Sequence, residues 1–231
     1  MDGLLVIDKP AGITSHDVVN CIRKIISQRR VGHAGTLDPY ATGILLILLG
    51  KGTKLFERLK DTTKEYIAGI KFGIITTTQD AWGKIISETV DINITQEELE
   101  RVLTKFCGDV IQVPPMVSAI RYQGRRLYEL ARNGIKIKRK PRYVKIFKLE
   151  LLEFNDTEYE AILRIVCSSG TYIRTLCADI GKVLSIGAHM SSLRRVRVGK
   201  FSIEDAIPLQ ELQQRTLSVE DVVIPIDMSL M

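Results

Sequence analysis

Residues 43–50 read GILLILLG, six consecutive aliphatic residues with a glycine at each end. No other stretch constrains the fold as tightly. A run with no polar position needs cover along its whole length, and six residues fit a buried strand rather than a bilayer-spanning helix, which needs about 20. It is the longest uninterrupted apolar run in the chain, so no membrane span is expected. The start of the chain, MDGLLVIDKP, lacks the basic leader region of a signal peptide, which leaves the cytoplasm as the expected location.

A second apolar run, GLLVI (3–7), stops at DKPAG and reads as another buried strand. Helical spacing then puts Val18, Cys21, Ile22 and Ile25 on one face of a helix starting at Ser15, with Ser15 as a candidate N-cap. TKLFERLK (53–60) is compatible with a further helix. In EYIAGIKFG, Tyr66, Ala68, Ile70 and Phe72 alternate with the period of a half-buried strand. TTTQDAWGK reads as a polar connection. Thr95 and Glu98 have the spacing of a capping box, ahead of a stripe of Leu99, Val102, Leu103 and Phe106.

Downstream, SAIRYQG reads as a strand and RRLYELARNG as a short helix ended by Gly134. VKIFKLELLEF and EYEAILRIVCSSG are alternating strands joined by a turn at NDT. TYIRTLCADIGKVL is helical, with Ile173, Leu176, Cys177 and Ile180 inward, and MSSLRRVRVGKFSI returns as a strand. Strands joined by short turns, interrupted by helices without βαβ alternation, define an α+β fold on a mixed, largely antiparallel central sheet with flanking helices. Without a repeat, a low-complexity linker or a composition break, a single domain over 1–231 is expected.

The balance of 33 Lys+Arg against 27 Asp+Glu, a net +6, leans toward a polyanionic partner. The bases cluster at Arg29 and Arg30, at Arg125 and Arg126, in KIKRKPRYVK (136–145) and in LRRVRVGK (193–200). One such run is an ordinary solvated face; four together point to a nucleic-acid groove. Cys21, Cys107, Cys167 and Cys177 are scattered without a CxxC pair, which suggests neither a disulfide framework nor a zinc site. LLGKGTK fails as a phosphate loop, because Leu45 stands where the first glycine belongs and Gly52 where Ser or Thr does. Neither the H-x-E with P-C-x-x-C of zinc deaminases nor a G-x-S-x-G elbow is present. The chemistry is therefore expected to need no metal and no cofactor.

Directly ahead of the apolar run stands VGHAGTLDPYATG (31–43). Gly32, Gly35 and Gly43 permit positive φ and close backbone approach, and Pro39 pushes Asp38 toward an extended conformation. Such a loop would hold Asp38 in one pose. On these residues alone two readings stand: the aspartate caps its own turn, or it is a carboxylate mounted for catalysis.

This stretch resembles the G-H-x-G-x-L-D-P-x-A-T-G loop of the bacterial tRNA pseudouridine synthases of the TruB family. The resemblance continues through GLLVIDKPAGITSHD, KEYIAGIKFG, PPMVSAIRYQGRRLYELAR, CSSGTYIRTLCADIG and LRRVRVGKF, in the family's order, over nearly the entire chain. It implies an isomerase (an intramolecular transferase) that flips out uridine-55 of the tRNA TΨC loop and converts it to pseudouridine. The same resemblance implies that Asp38 is catalytic, that Arg174 pairs with it, and that Tyr66 stacks on the target uracil. Tyr172 and Leu193 match substrate-contacting positions, and His33 matches a residue beside the extruded nucleotide. Residues 114–142 match a flexible thumb against the RNA, which makes Arg125, Arg126, Lys138, Arg139 and Lys140 phosphate-contact candidates, with Lys136 in the same run.

By pattern alone, Arg174 would be a surface charge on an amphipathic helix and Tyr66 a core aromatic. The family's reaction breaks the N-glycosidic bond and rejoins uracil through C5 without redox change or net water, so one carboxylate suffices. Whether Asp38 attacks the sugar, attacks the base or removes a sugar proton stays open at this point. Family members usually continue into a small RNA-binding PUA domain after a segment like IPIDMSLM; here the chain stops at Met231, and a catalytic domain without it is expected. The expected partner is tRNA through its TΨC arm, bound by a monomer with no guide RNA and no membrane. Two other readings are an RNA-binding module whose loop is only a scaffold, and a synthase acting on another RNA.

Overall fold

The GILLILLG run forms the strand expected of it. In the computed structural model, which describes residues 1–135 and 137–226, strand β3 (Thr42–Leu49) pairs antiparallel with β1 (Gly3–Lys9) and with β2 (Val31–Ala34). Leu45, Ile47 and Leu49 share one core with Leu5, Ile7 and, from helix α1 (Ser15–Ile25), Val18, Val19 and Ile22. Ile44, Leu46 and Leu48 share another with Leu4, Val6, Ala34 and Val198. Cover on both faces is why the run has no polar position. Truncating one of these residues, as in Leu46→Ala, should cost about 2–5 kcal/mol.

The N-cap of α1 is Thr14 rather than Ser15. Thr14 and Asp17 exchange the reciprocal bonds of a capping box. Ser15 is buried instead, its Oγ accepting from the Leu37 N–H at 2.8 Å and donating to the Leu37 carbonyl at 3.0 Å. After β3 the expected single helix is a 3₁₀ segment, Gly50–Leu55, followed by a short α2 (Phe56–Lys60). The stretch opens on GKG, and glycine is a poor α-helix former.

The chain forms two compact units: Met1–Tyr66 with the described residues from Leu193 on, and Ile67–Ser192. Strands β4 (Lys64–Phe72) and β12 (Ala188–Val198) each run from one unit into the other. Both boundaries fall inside strands, so no linker or composition break marks them. In the first unit, β12 meets β3 in parallel through Arg194↔Thr42 and Arg195↔Gly43. Strand β13 (Phe201–Ser202) turns back on β12, and β14 (Ile207–Pro208) lies parallel to β1. Helices α6 (Leu209–Gln213) and α7 (Val219–Val222) supply Leu209, Leu212 and Val219 to the first core.

The second unit begins with the alternation read from the sequence: Ala68, Ile70 and Phe72 of β4 are buried. A hairpin of β5 (Ile74–Thr76) and β6 (Ile85–Glu88) carries the polar connection at its tip. Helix α3 (Gln96–Thr104) starts at the Thr95/Glu98 capping box as expected and leads to β7 (Gly108–Gln112). The expected strand at SAIRYQG is a two-stranded hairpin, β8 (Arg121–Tyr122) and β9 (Arg125–Arg126), turned by Gln123 and Gly124 at φ 48° and 83°. Helix α4 (Leu127–Arg132) follows, with Gly134 at φ 72° just past its end. Lys136 lies outside the described residues.

Long strands β10 (Arg142–Asn155) and β11 (Glu160–Cys167) pair antiparallel, with β7 on the other edge of β10. Helix α5 (Ile173–Val183) buries Ile173, Leu176, Cys177 and Ile180, the inward stripe read from its spacing. Parallel pairings (β1 with β14, β3 with β12) and antiparallel ones (β1 with β3, β10 with β11 and β7) in one mixed sheet, with helices alongside, make the α+β class that the sequence predicts. Among the described residues no helix is long and apolar enough to cross a membrane.

Candidate active site

The loop between β2 and β3 carries Asp38, which is half-buried. Gly35 and Gly43 adopt φ of 82° and 98°, as the motif leads one to expect, whereas Gly32 is a β2 strand residue outside the left-handed region. The rest of the loop is held by side chains from three places. Ser15 fastens Leu37, as above. Lys9 is fully buried at the end of β1, and its Nζ donates to the carbonyls of Pro10, Ile13 and Pro39 at 2.7, 2.8 and 2.8 Å. The Pro39 carbonyl also accepts from the Gly12 N–H at 3.0 Å, and the Ala41 N–H donates to the Asp38 carbonyl at 3.1 Å.

Arg195, 1% exposed on β12, donates from Nε to Ile44 O at 2.8 Å, from Nη2 to Gly35 O at 2.9 Å and from Nη1 to Thr36 O at 3.4 Å. Burial pushes the Lys9 amine down to about 8; the Asp38 charge opposes that shift, Arg195 adds to it and Asp17 opposes it. Arg195 is thus wired into its own unit, while Arg197 and Lys200 of the same run are exposed. Arg194 Nη2 lies 2.7 Å from Asp8 Oδ2, and Arg197 Nε lies 3.5 Å from Glu65 Oε2.

Three more expected residues stand in the same unit as Asp38: His33 on β2 opposite Ile47, Tyr66 on β4 at 7% exposure, and Leu193, buried on β12. The second unit holds the others. Tyr172 occupies the N-cap position of α5, where its N–H donates to Gln112 Oε1 at 2.9 Å and its carbonyl accepts from Gln112 Nε2 at 3.2 Å. Arg174, in the first turn of α5, is only 4% exposed, so it is no surface charge. A cation there faces the positive end of the helix dipole, which is unfavourable. Acceptors from two other segments offset this: Asp80 Oδ2 at 3.6 Å and the Thr78 carbonyl at 3.2 Å from Nη1, and the Val117 carbonyl at 2.9 Å from Nη2. Asp80 is itself oriented by the Thr78 hydroxyl at 2.5 Å and the Trp82 N–H at 3.1 Å.

The phosphate-contact candidates divide by exposure. Arg125, Arg126, Lys138 and Lys140 stand in solvent, whereas Arg139 is half-buried and its Nη1 donates to the Pro114 carbonyl at 3.1 Å. Sequence reasoning missed Lys9, Ser15 and Arg195 in the first unit, and Asp80 and Gln112 in the second. One signal for Arg195 was present: in LRRVRV it has the same strand parity as Leu193, the buried side. Lys9 had a weaker one, a lysine closing a buried strand ahead of a proline.

Residues 23–173 match the TruB family pseudouridylate synthase N terminal domain, and residues 174–231 match the tRNA pseudouridylate synthase B C-terminal domain. The chain belongs to the TruB family of pseudouridylate synthases. A protein of Francisella philomiragia named tRNA pseudouridine synthase B is 47% identical over 214 residues, 92% of this chain and 70% of that one. A protein of the same name from Endomicrobium trichonymphae is 46% identical, with 91% of each chain covered. Among solved structures, a chain of a Cbf5-Nop10-Gar1 complex superposes with a TM-score of 0.72 at 33% identity, covering 92% of this chain. This chain spans about half that solved chain, 54% of its length.

Proposed function

We propose that this chain isomerises uridine-55 in the TΨC loop of tRNA to pseudouridine, with Asp38 as the reacting carboxylate. The observation that carries this reading is the loop itself: one half-buried acid on a backbone fastened by Lys9, Ser15 and Arg195, in a chain of the TruB family. In the reaction the C1′–N1 bond breaks, the uracil turns and a C1′–C5 bond forms. The C5 hydrogen leaves as a proton and N1 gains one, so atoms and electrons balance without a redox partner or net water. An ionised carboxylate can take part as a nucleophile or as a base.

The other residues take roles suited to their chemistry. Arg174 pairs with the Asp38 carboxylate in the working enzyme, Tyr66 stacks on the flipped uracil to replace the stacking lost from the RNA, and Tyr172 and Leu193 line the base. His33 meets the RNA beside the extruded nucleotide, and the exposed Arg125, Arg126, Lys138 and Lys140 meet phosphates, while Arg139, tied to the Pro114 carbonyl, holds the segment that carries them. The partner is the TΨC arm of tRNA, taken by a monomer in the cytoplasm without a guide RNA. Higher identity to proteins named for tRNA than to the Cbf5 chain supports this choice of substrate.

Tritium release from tRNA labelled at uracil C5 tests the proposal. Release with the wild type and its loss in Asp38→Asn are expected. Equal release from both, or none from the wild type, would overturn it.

A further inference from the structure

We propose that Arg195 is the positioning residue of the Asp38 loop, clamping the loop's entry to its exit, and that Gly43 is a glycine because the backbone of this arginine lies against it. The inference rests on the reading of Asp38 as the reacting carboxylate. The three donors of the guanidinium are divided between the two ends of the loop. Nη2 and Nη1 serve the carbonyls of Gly35 and Thr36, where the chain enters, while Nε serves the carbonyl of Ile44, where it leaves. A planar fork can span two strands of backbone in this way; an ammonium, a point charge on a flexible stem, has no fixed fork to do so.

The glycine at the loop exit follows from the same residue. Register places Arg195 beside Gly43, and a Cβ built on Gly43 would come within 2.2 Å of the Arg195 carbonyl oxygen and 2.8 Å of its nitrogen. Real Cβ atoms do not approach backbone that closely, so strand β12 can lie against the loop exit only where no side chain stands. At Gly35 a Cβ would sit 3.4 Å from Arg195 Nη1, ordinary van der Waals contact, so there the φ of 82°, in the left-handed region, is what favours glycine. Backbone and side chain of one arginine therefore contact both feet of the loop. Asp38 lies between those feet, and its pose is set by how far apart they are held.

A displaced carboxylate should slow the reacting step without weakening the hold on RNA. With the full chain, Arg195→Lys and Arg195→Gln are compared with the wild type in single-turnover isomerisation at saturating tRNA and in equilibrium tRNA binding. In both variants the rate should fall about 100-fold, the scale of a small misplacement of a reacting group, while the dissociation constant stays within about threefold. A rate for Arg195→Lys within about threefold of wild type, or a rate loss matched by an equal loss of affinity, would overturn the inference. Amide hydrogen exchange on the wild type gives a reading independent of whether the variants fold. Leu37 and Ala41 should exchange as slowly as the interior of β3, and exchange at open-loop rates would show that nothing clamps the loop. Asp38→Asn in parallel separates the failures: if it stays active, the catalytic reading falls; if it is dead while Arg195→Lys is normal, only the clamp falls.

Discussion

The basic residues around the Asp38 loop and those of residues 114–142 have the same charge and opposite employment. Lys9 and Arg195 are as buried as the leucines of β3, and their hydrogen bonds end on backbone carbonyls. Lys138 and Lys140 stand in solvent. The contrast shows that a net charge of +6 overstates what this chain offers a polyanion. Part of it is internal scaffolding, and only the exposed part is open to phosphates.

The largest effect should come from the residue that the first set surrounds. Asp38→Asn is expected to lower C5 tritium release by at least about 10⁴-fold, the scale on which loss of a reacting group is felt, while tRNA affinity holds. If affinity fell as steeply, Asp38 would belong with the exposed bases as a binding residue, and the comparison would break at its centre.

Next is Lys9→Met, which leaves the carbonyls of Pro10, Ile13 and Pro39 without their donor. About 3 kcal/mol of stability should be lost in urea unfolding at neutral pH. The pH dependence sharpens this. The folded-state value of about 8 lies below the ordinary 10.5, so between these values the unfolded chain binds more protons than the folded one. Stability due to Lys9 is therefore lowest below pH 8 and rises toward pH 10.5, by about 3 kcal/mol at most. The gap between wild type and variant should widen over that window. A narrowing gap would mean that the ammonium's bonds to carbonyls outweigh its burial.

The exposed set should answer differently. Lys138→Ala and Lys140→Ala should each reduce the slope of log affinity against log salt by about one, with the fold untouched. Arg139→Ala should change the slope little and loosen the segment instead, because its guanidinium is tied to Pro114. A full unit of slope lost at Arg139 would move it to the phosphate-binding side of the comparison.

The same contrast explains what could be read in the sequence. Elements with a clear period were legible: the β3 run, the α3 capping box, and the inward stripe of α5. So were the left-handed Gly35 and Gly43 at the feet of the Asp38 loop, since glycine acts locally. Long-range partners were not. Arg174 looks like a surface charge until Asp80, Thr78 and Val117 arrive from segments 57 to 96 residues away in sequence. Arg195 is buried because its acceptors, the carbonyls of Gly35, Thr36 and Ile44, come from a distant loop, and a carbonyl leaves no mark in a sequence. The unit boundaries were invisible because they cut through β4 and β12.

The smallest effect discriminates most finely. Thr14 and Thr95 each close a capping box, one at the head of α1 and one at the head of α3, and loss of either hydroxyl should cost about 1 kcal/mol. The energies match, but the attachments do not. Thr14 precedes Ser15, whose Oγ holds Leu37 of the Asp38 loop, whereas the α3 cap is fastened only to its own first turn. Thr14→Ala should therefore lower the isomerisation rate a few-fold and Thr95→Ala should leave it unchanged, with urea unfolding confirming equal destabilisation. Acid adds a check, because the Thr14 hydroxyl and N–H hold the Asp17 carboxyl below the usual range. The stability that this gives is present above that range and fades as the pH falls through the lowered value, so wild type and Thr14→Ala should converge in acid. An equal loss of rate in both helix-cap variants would mean that general softening of the fold, rather than the fastening at Leu37, reaches Asp38.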